Sequence, residues 1–355
     1  MKSVQAVEGK NKMFEELYPV LYAAESPITA GYVRQSIIAS VYADSLVLGG
    51  LRGKKILDLG CGFGTTTMEI SKFCPGSITA IDNSTAMIEL MKVVMLDDCN
   101  IDEWLQKKGA DKILGDLYKG TLDYLNQRRA DYRQGIFVRG GGSLNTLTSS
   151  VLDISNFILK IGRFDVAIAN NMLHWPVKQL IESSSVDTET ALNKVISRIE
   201  QTLLPGGILI ITEPKDFITF DDDRSREIDS EKNTSTNHPV FKRFHATLNR
   251  ILEDCYGIKR AVPSSTGLFK VSKLRDCFES QGFEYIQMSQ RENSDYSDPI
   301  IWCQVRAQMW LGEVTLSFEE KNKIIQETVG EVRKTITGKE DPIRTQDFYI
   351  CLRKK

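Results

Sequence analysis

The segment Ile56-Leu57-Asp58-Leu59-Gly60-Cys61-Gly62-Phe63-Gly64-Thr65-Thr66-Thr67 restricts the fold of this chain more than any other. Its apolar opening suits a strand buried on both faces. Three glycines at alternate positions then make a turn, and a threonine run begins what reads as a Thr-capped helix. Glycine lets the backbone reverse sharply and approach a ligand closely, while the unpaired N–H groups of a helix start favour a carboxylate or phosphate. A nucleoside is the natural guest of such a turn.

Comparable β-branched runs recur at Ser77–Ile81, Phe164–Ala169 and Ile208–Thr212. Helical periodicity lies between them. Leu192, Val195, Ile196, Ile199 and Leu203 form one apolar stripe, closed by Pro205-Gly206-Gly207. Strand and helix in alternation predict a parallel α/β sheet with helices on both faces. Beyond Gly267, residues 271–278 read as a helix ending near Gly282, followed by strands at Phe283–Met288 and Phe348–Leu352, so the sheet has at least seven strands. Three stretches do not fit the alternation: 1–50, with Tyr18, Tyr22, Tyr32 and Tyr42 in expected helices; 97–145; and 214–266, which opens on Asp221-Asp222-Asp223. The expected organisation is therefore a helical cap or lid over 1–50 and one ligand-binding domain over 51–355, with insertions at about 97–145 and 214–266.

Asp82 follows Gly60 by 22 residues and ends the second apolar run, where a carboxylate can accept both hydroxyls of a ribose. A nicotinamide dinucleotide calls for G-x-G-x-x-G, but Thr65 occupies the last glycine position and the spacing present is G-x-G-x-G, which argues against it. Asp58, two residues before Gly60, places negative charge where a pyrophosphate would be repelled and a cationic amino acid moiety attracted. These residues resemble the class I S-adenosylmethionine-dependent methyltransferases, whose first motif, D-x-G-x-G-x-G, is matched at Asp58, Gly60, Gly62 and Gly64. The similarity runs from about Lys55 to Glu213 and more weakly over 271–290 and 346–352.

The resemblance implies a Rossmann-like, mostly parallel seven-stranded sheet with helical cap insertions, and S-adenosylmethionine as cofactor. It implies a cofactor site at Asp58, Gly60, Cys61, Gly62, Gly64, Asp82 and Asn83, with Asp153 and Ile154 at the adenine and Asn170 where the family opens its active site. Leu204-Pro205-Gly206-Gly207 matches the family's turn before the fifth strand. Each residue has a plainer reading: the glycines can be only a tight turn, Asp82 can cap a helix starting near Ser84, and Asp153 can be a structural acid.

Methyl transfer from a sulfonium is an in-line displacement, so much of the catalysis is positional. A hydroxyl or carbon acid gains from a general base, whereas a carboxylate or neutral amine does not need one. His174, in Asn170-Asn171-Met172-Leu173-His174-Trp175, is the candidate base because it follows the fourth strand at the ligand-binding edge of the sheet. The plainer reading makes it a helix-start histidine bonded to backbone, and Trp175 a wall. The pattern N-x-x-L-H-W resembles small-molecule methyltransferases and not the Asn-Pro-Pro-Tyr type that acts on DNA bases and amides. Acceptor contacts are expected from Tyr18, Tyr22, Arg34 and Trp175, with Arg243 and Arg306 as further cations for a carboxylate.

The expected activity is methylation of a small-molecule or natural-product acceptor, oxygen slightly ahead of nitrogen and carbon. A protein or carrier-bound acceptor is one alternative, and a non-catalytic binding protein that kept the fold is another. With 45 Lys and Arg against 47 Asp and Glu, the net charge of −2 offers no global attraction to nucleic acid or an anionic membrane. The seven cysteines include no C-x-x-C pair, so no metal site is expected and reduced thiols suit a cytoplasmic protein. Neither a leader-like apolar segment nor a run of about 18 apolar residues is visible. A monomer or homodimer is expected.

Overall fold

Alternation at period two builds the sheet from within. Even-numbered Ile56, Ile78, Val166, Ile168, Ile208 and Ile210 enter one hydrophobic core, while Leu57, Leu59, Ile81, Ala167, Leu209 and Ile211 enter a second on the opposite face. The computed structural model describes residues 19–24, 50–214, 217–219, 238–259, 268–296, 299–311, 314–336 and 343–355. Its strands are β1 (Lys55–Leu59), β2 (Ser77–Asp82), β3 (Ser143–Thr148), β4 (Phe164–Asn170), β5 (Leu203–Pro214), the short β6 (Ile218–Thr219) and β7 (Phe269–Lys270), β8 (Phe283–Tyr296) and β9 (Ile343–Lys354).

The main sheet runs β3-β2-β1-β4-β5-β9-β8, and β6 pairs with β7 separately. The pairs among β1 to β5 are parallel, and β9 is antiparallel to both β5 and β8. This is the mostly parallel, seven-stranded Rossmann-like sheet expected from the sequence. Strand order reverses between β1 and β4, so the crevice between their carboxyl ends is where an open α/β sheet receives its ligand.

Helices α1 (Thr65–Ser71) and α2 (Thr85–Met95) cover the first face through Met68, Ile70, Met87 and Met91. Four more helices, α3 (Ile101–Lys107), α4 (Ala110–Leu114), α5 (Leu117–Arg133) and α6 (Ile136–Arg139), extend that core through Leu105, Ile113, Leu125 and Phe137. After α7 (Ser155–Ile161), helices α8 (His174–Ser184), α9 (Thr188–Thr202) and α11 (Val271–Ser280) cover the second face. A third core joins α10 (Pro239–Tyr256) to α12 (Pro299–Trp310) and α13 (Phe318–Thr335) through Phe244, Leu248, Trp302, Leu311 and Ile325. The last two of these helices lie in the connection between β8 and β9. A shallow surface groove lies where Leu21, Ile113 and Leu117 meet Gln304, Asn322 and Ile325.

Three local expectations change. Helix α1 is not Thr-capped: its N-cap is Gly64, at φ 93°, with no side-chain cap bond, and the Thr67 hydroxyl is used elsewhere. Leu203 does not close the α9 stripe but starts β5, opposite Phe164. The strand β3 was hidden in the sequence because Ser-Leu-Asn-Thr-Leu-Thr is polar, as an edge strand tolerates. Residues 97–145 accordingly hold the four helices and end in the first residues of β3. In the other two non-alternating stretches, residues 19–24 are helical and include Tyr22, and 239–256 form α10. Tyr18, Tyr32, Arg34, Tyr42 and Asp221–Asp223 lie outside the described residues.

The helices inserted before β3 are tied to α1 by charge as well as packing. Arg128 Nη1 donates to Glu69 Oε1 at 2.8 Å, with both side chains nearly covered, and Lys72 holds the other carboxylate oxygen at 2.5 Å. Burial opposes ionisation of Glu69, but the two cations outweigh it and keep the carboxyl below its usual range. Removing one partner of a covered pair leaves an uncompensated charge. Arg128→Met should therefore cost about 3 kcal/mol in urea unfolding, and Arg128→Met combined with Glu69→Leu should regain most of it; equal losses in the single and double variants would rule out this account.

Candidate functional site

The turn after β1 has Gly60, Gly62 and Gly64 all in the left-handed region, at φ 66°, 54° and 93°. At Gly60 the need for glycine is also steric, since an added Cβ would lie 2.2 Å from Met172 Cγ. The loop following β4 thus rests directly on the turn. Asn170, the last residue of β4, donates from Nδ2 to Thr66 Oγ1 at 3.0 Å and draws the two chain segments together. Asn171 takes φ 52° and donates its N–H to Thr212 O at 2.7 Å, fixing the loop to the end of β5.

Asp82 clamps the turn from the neighbouring strand. Its Oδ2 accepts the Gly62 N–H and its Oδ1 the Ser84 N–H, both at 2.9 Å. Ser84 itself caps α2 by accepting from Met87 N. The capping function foreseen for Asp82 therefore belongs to Ser84, with Asp82 bridging the two turns. Asn83 beside it is exposed. Cys61 is buried, its N–H bonded to Ile81 O at 3.0 Å and its thiol 3.8 Å from Met91 Sδ; burial pushes the thiol well above its usual range.

Asp58 is fully buried, and its Oδ2 accepts the Thr67 hydroxyl at 2.5 Å. Desolvation raises its pKa to about 7; the Thr67 bond opposes this and the Asp82 charge adds to it. Asp58 Oδ1, Thr65 Oγ1 and Asn170 Oδ1 are buried without a hydrogen-bond partner among the described residues. All three belong to the turn and the two segments that flank it. Buried oxygens without donors are costly, and here they form an acceptor-rich patch suited to a ligand carrying N–H and O–H groups.

After β3 the chain makes a short 3-10 turn, Val151–Asp153, in which Asp153 is exposed; Ile154 next to it is fully buried. At the turn itself, Tyr22 packs edge-on to Phe63, centroids 5.8 Å apart, and its Cε1 lies 3.6 Å from where a Gly62 Cβ would stand. Arg243 bonds to the Thr335 carbonyl and Arg306 lies over the Trp302 ring, so both belong to the third core.

His174 is the first residue of α8 and is buried. Its partner is not backbone: Nδ1 lies 2.6 Å from Glu213 Oε2, and Glu213 Oε1 accepts the Leu173 N–H at 2.5 Å. Phe217 stacks on the imidazole at 4.0 Å, with 13° between the planes, and carries the Lys178 ammonium 4.3 Å from its centroid. Trp175, 42% exposed, lies 5.0 Å from His174. Sequence reading missed Glu213, Phe217 and Thr67. The one available signal was a carboxylate ending the apolar run Ile208-Leu209-Ile210-Ile211-Thr212.

Comparison with known proteins places this geometry in context. A sequence model of a family described as a methyltransferase domain matches residues 35–288. No curated protein matches the chain. Among solved structures, the YcgJ protein from Bacillus subtilis is similar over 91% of this chain and 98% of its own, at 13% identity and a TM-score of 0.39. Magnesium protoporphyrin IX methyltransferase from Synechocystis PCC 6803 is similar over 92% of this chain and 85% of its own, at 11% identity and a TM-score of 0.38.

The Asp58 carboxyl makes a measurable contribution to ligand-free stability. Its folded pKa lies above the ordinary value of 3.8, so the folded state holds the extra proton and stability falls as pH rises from about 4 to about 7. The difference between wild type and Asp58→Asn in chemical unfolding should change by up to about 4 kcal/mol across that window; a difference independent of pH would refute the assignment.

Proposed function

The chain belongs to the methyltransferase-domain family, and from that premise we propose that it methylates a small-molecule acceptor, with oxygen as the favoured receiving atom. The protein is an S-adenosylmethionine-dependent methyltransferase. The observation that carries the reading of its site is the set of buried oxygens without a hydrogen-bond partner among the described residues, at Asp58, Thr65 and Asn170 around a glycine-rich turn. Those groups fit the cofactor: its ammonium and ribose hydroxyls are donors, and its bulk needs the space that Gly60, Gly62 and Gly64 leave. When bound, it supplies an electrophilic methyl group on a sulfonium.

In this reading Asp58 receives the ammonium, Asp82 the ribose hydroxyls, and Asp153 with Ile154 the adenine. The backbone of Gly60, Cys61, Gly62 and Gly64 lies along the cofactor, with Asn83 at its margin and Asn170 at the mouth of the active site. Tyr22 closes over the turn, with Tyr18 and Arg34 assigned to the same lid, and Trp175 borders the acceptor. The aromatic rings of Trp175 and Phe217 beside His174 support a small acceptor, since aromatic walls exclude water from a displacement that hydrolysis would otherwise spoil. The helical cap of 1–50 and the insertions at about 97–145 and 214–266 would then set acceptor size within the domain at 51–355. The seven cysteines, with no C-x-x-C pair among them, support a cytosolic location, and no described helix is long and apolar enough to cross a membrane.

Calorimetric titration with S-adenosylmethionine and S-adenosylhomocysteine tests the proposal. Asp82→Ala removes two charge-assisted hydrogen bonds to ligand and should weaken binding about 100-fold or more. Melting of the ligand-free variant measures separately what loss of the Gly62 and Ser84 bonds does to the turn. Unchanged affinity would refute the ribose assignment, and no heat from the folded wild type would refute the cofactor site.

An ammonium favours ionised Asp58, so cofactor affinity should rise about tenfold per pH unit below about 7 and level off above it. Asp58→Asn should flatten that profile. A wild-type profile already flat below pH 7 would remove Asp58 from the site.

A further inference from the structure

We infer that Glu213 is a positioning residue that holds His174 in the Nδ1–H tautomer, leaving Nε2 as the base for an acceptor hydroxyl, most fittingly a phenol. This rests on the methyltransferase reading and adds the acceptor class to it. The argument begins with what Glu213 can do. It is completely buried at the carboxyl end of β5, and each oxygen faces one donor position: Oε1 the Leu173 N–H at 2.5 Å, Oε2 the His174 Nδ1 at 2.6 Å. An ionised carboxylate only accepts, so the proton of a neutral imidazole must sit on Nδ1 and the lone pair on Nε2.

The ring is fixed in more than one way. Phe217 stacks against its face at 4.0 Å, and the adjacent peptide N–H is bound by the same carboxylate. Nε2 lies across the ring from Nδ1 and hydrogen-bonds to no described residue. The imidazole stands at the start of α8, two residues beyond Met172, whose side chain rests on Gly60. It therefore lies beside the turn at which the methyl donor binds. A helix start needs no buried carboxylate–imidazole pair, because one hydroxyl or amide can cap it.

A base in this position is useful only to an acceptor with a proton to lose. A carboxylate acceptor is already ionised and gains nothing from it, whereas a hydroxyl does. The oxygen lone pair forms the new C–O bond as the C–S bond of the sulfonium breaks, with that electron pair remaining on sulfur. The hydroxyl proton passes to Nε2. The positive charge that leaves the sulfonium thus ends on an imidazolium held against Glu213, and charge is conserved. Trp175, 5.0 Å from the ring, provides an aromatic wall suited to an aryl alcohol.

The chain has three histidines, so histidine-selective ¹⁵N labelling of the full protein with bound S-adenosylhomocysteine resolves the tautomer directly by NMR. Expected for the wild type is a protonated Nδ1 and a bare Nε2 on His174. In Glu213→Gln the amide cannot accept at both positions, so the tautomer should shift toward Nε2–H while S-adenosylhomocysteine affinity stays within about twofold. Methyl transfer to a panel of monohydric phenols should fall about 100-fold or more in Glu213→Gln and in His174→Gln, with kcat rather than KM carrying the loss. Matching benzoates should be poor acceptors for all three proteins.

The proposal is overturned by an Nε2–H tautomer in the wild type, by phenol methylation that survives in His174→Gln, or by a cofactor-binding wild type that methylates benzoates but no phenol. Should Glu213→Gln not fold, the wild-type tautomer and the His174→Gln rates still decide. Absence of cofactor binding would instead sink the methyltransferase reading of the site, and calorimetry shows that separately.

Discussion

The pairing of Asp82 with the Gly62 N–H is the contact on which the ligand-binding edge is built. It crosses from β2 to the turn after β1, and a carboxylate makes it a charge-assisted bond to a peptide group that a left-handed turn would otherwise leave exposed to solvent competition. The same residue bonds to the Ser84 N–H and so sets the start of α2. With the turn held on one side by Asp82 and on the other by the Met172 loop, the crevice at the strand-order reversal has a rigid floor. The ligand then meets backbone whose conformational cost was met during folding.

Buried carboxylates of different character occur in and near the segments that form this floor. Asp58 is poised near neutrality because burial disfavours its charge and only Thr67 offsets it. Glu69 is held ionised by two cations, and Glu213 is engaged by a peptide N–H and an imidazole. Placing acids of unequal ionisation around one crevice is a general way for a single fold to separate binding, structural and proton-handling work. Here the three differ by position in the fold: Asp58 lies in β1, Glu69 in α1 and Glu213 at the carboxyl end of β5.

Much of this was legible from the sequence because it is local. Strands β1, β2, β4 and β5 are covered on both faces, and burial on both faces leaves an unbroken apolar run that is easy to read. The glycine turn, Gly60 to Gly64, is a short segment with its own steric logic. What was not legible depends on distance or on an edge: β3 is polar, and the Glu213 contact to His174 joins residues 39 apart. His174 was recognisable as a residue at the right edge of the sheet, but its partner was not. Helix stop signals misled once, since the apolar spacing of Leu203 continues that of α9 although the residue already pairs with β4.

The third core has a consequence for how this protein can change over evolutionary time. Its helices come from two separate excursions of the chain, α10 after β5 and the α12–α13 pair between β8 and β9. Neither excursion buries its apolar face alone, so a recombination event that brings in only one delivers helices with an uncovered apolar face. Change in this core therefore calls for coordinated drift of both pieces or for exchange of the whole carboxy-terminal third. During synthesis, too, α10 emerges well before α12 and α13, so its apolar face needs protection from premature contacts until they follow.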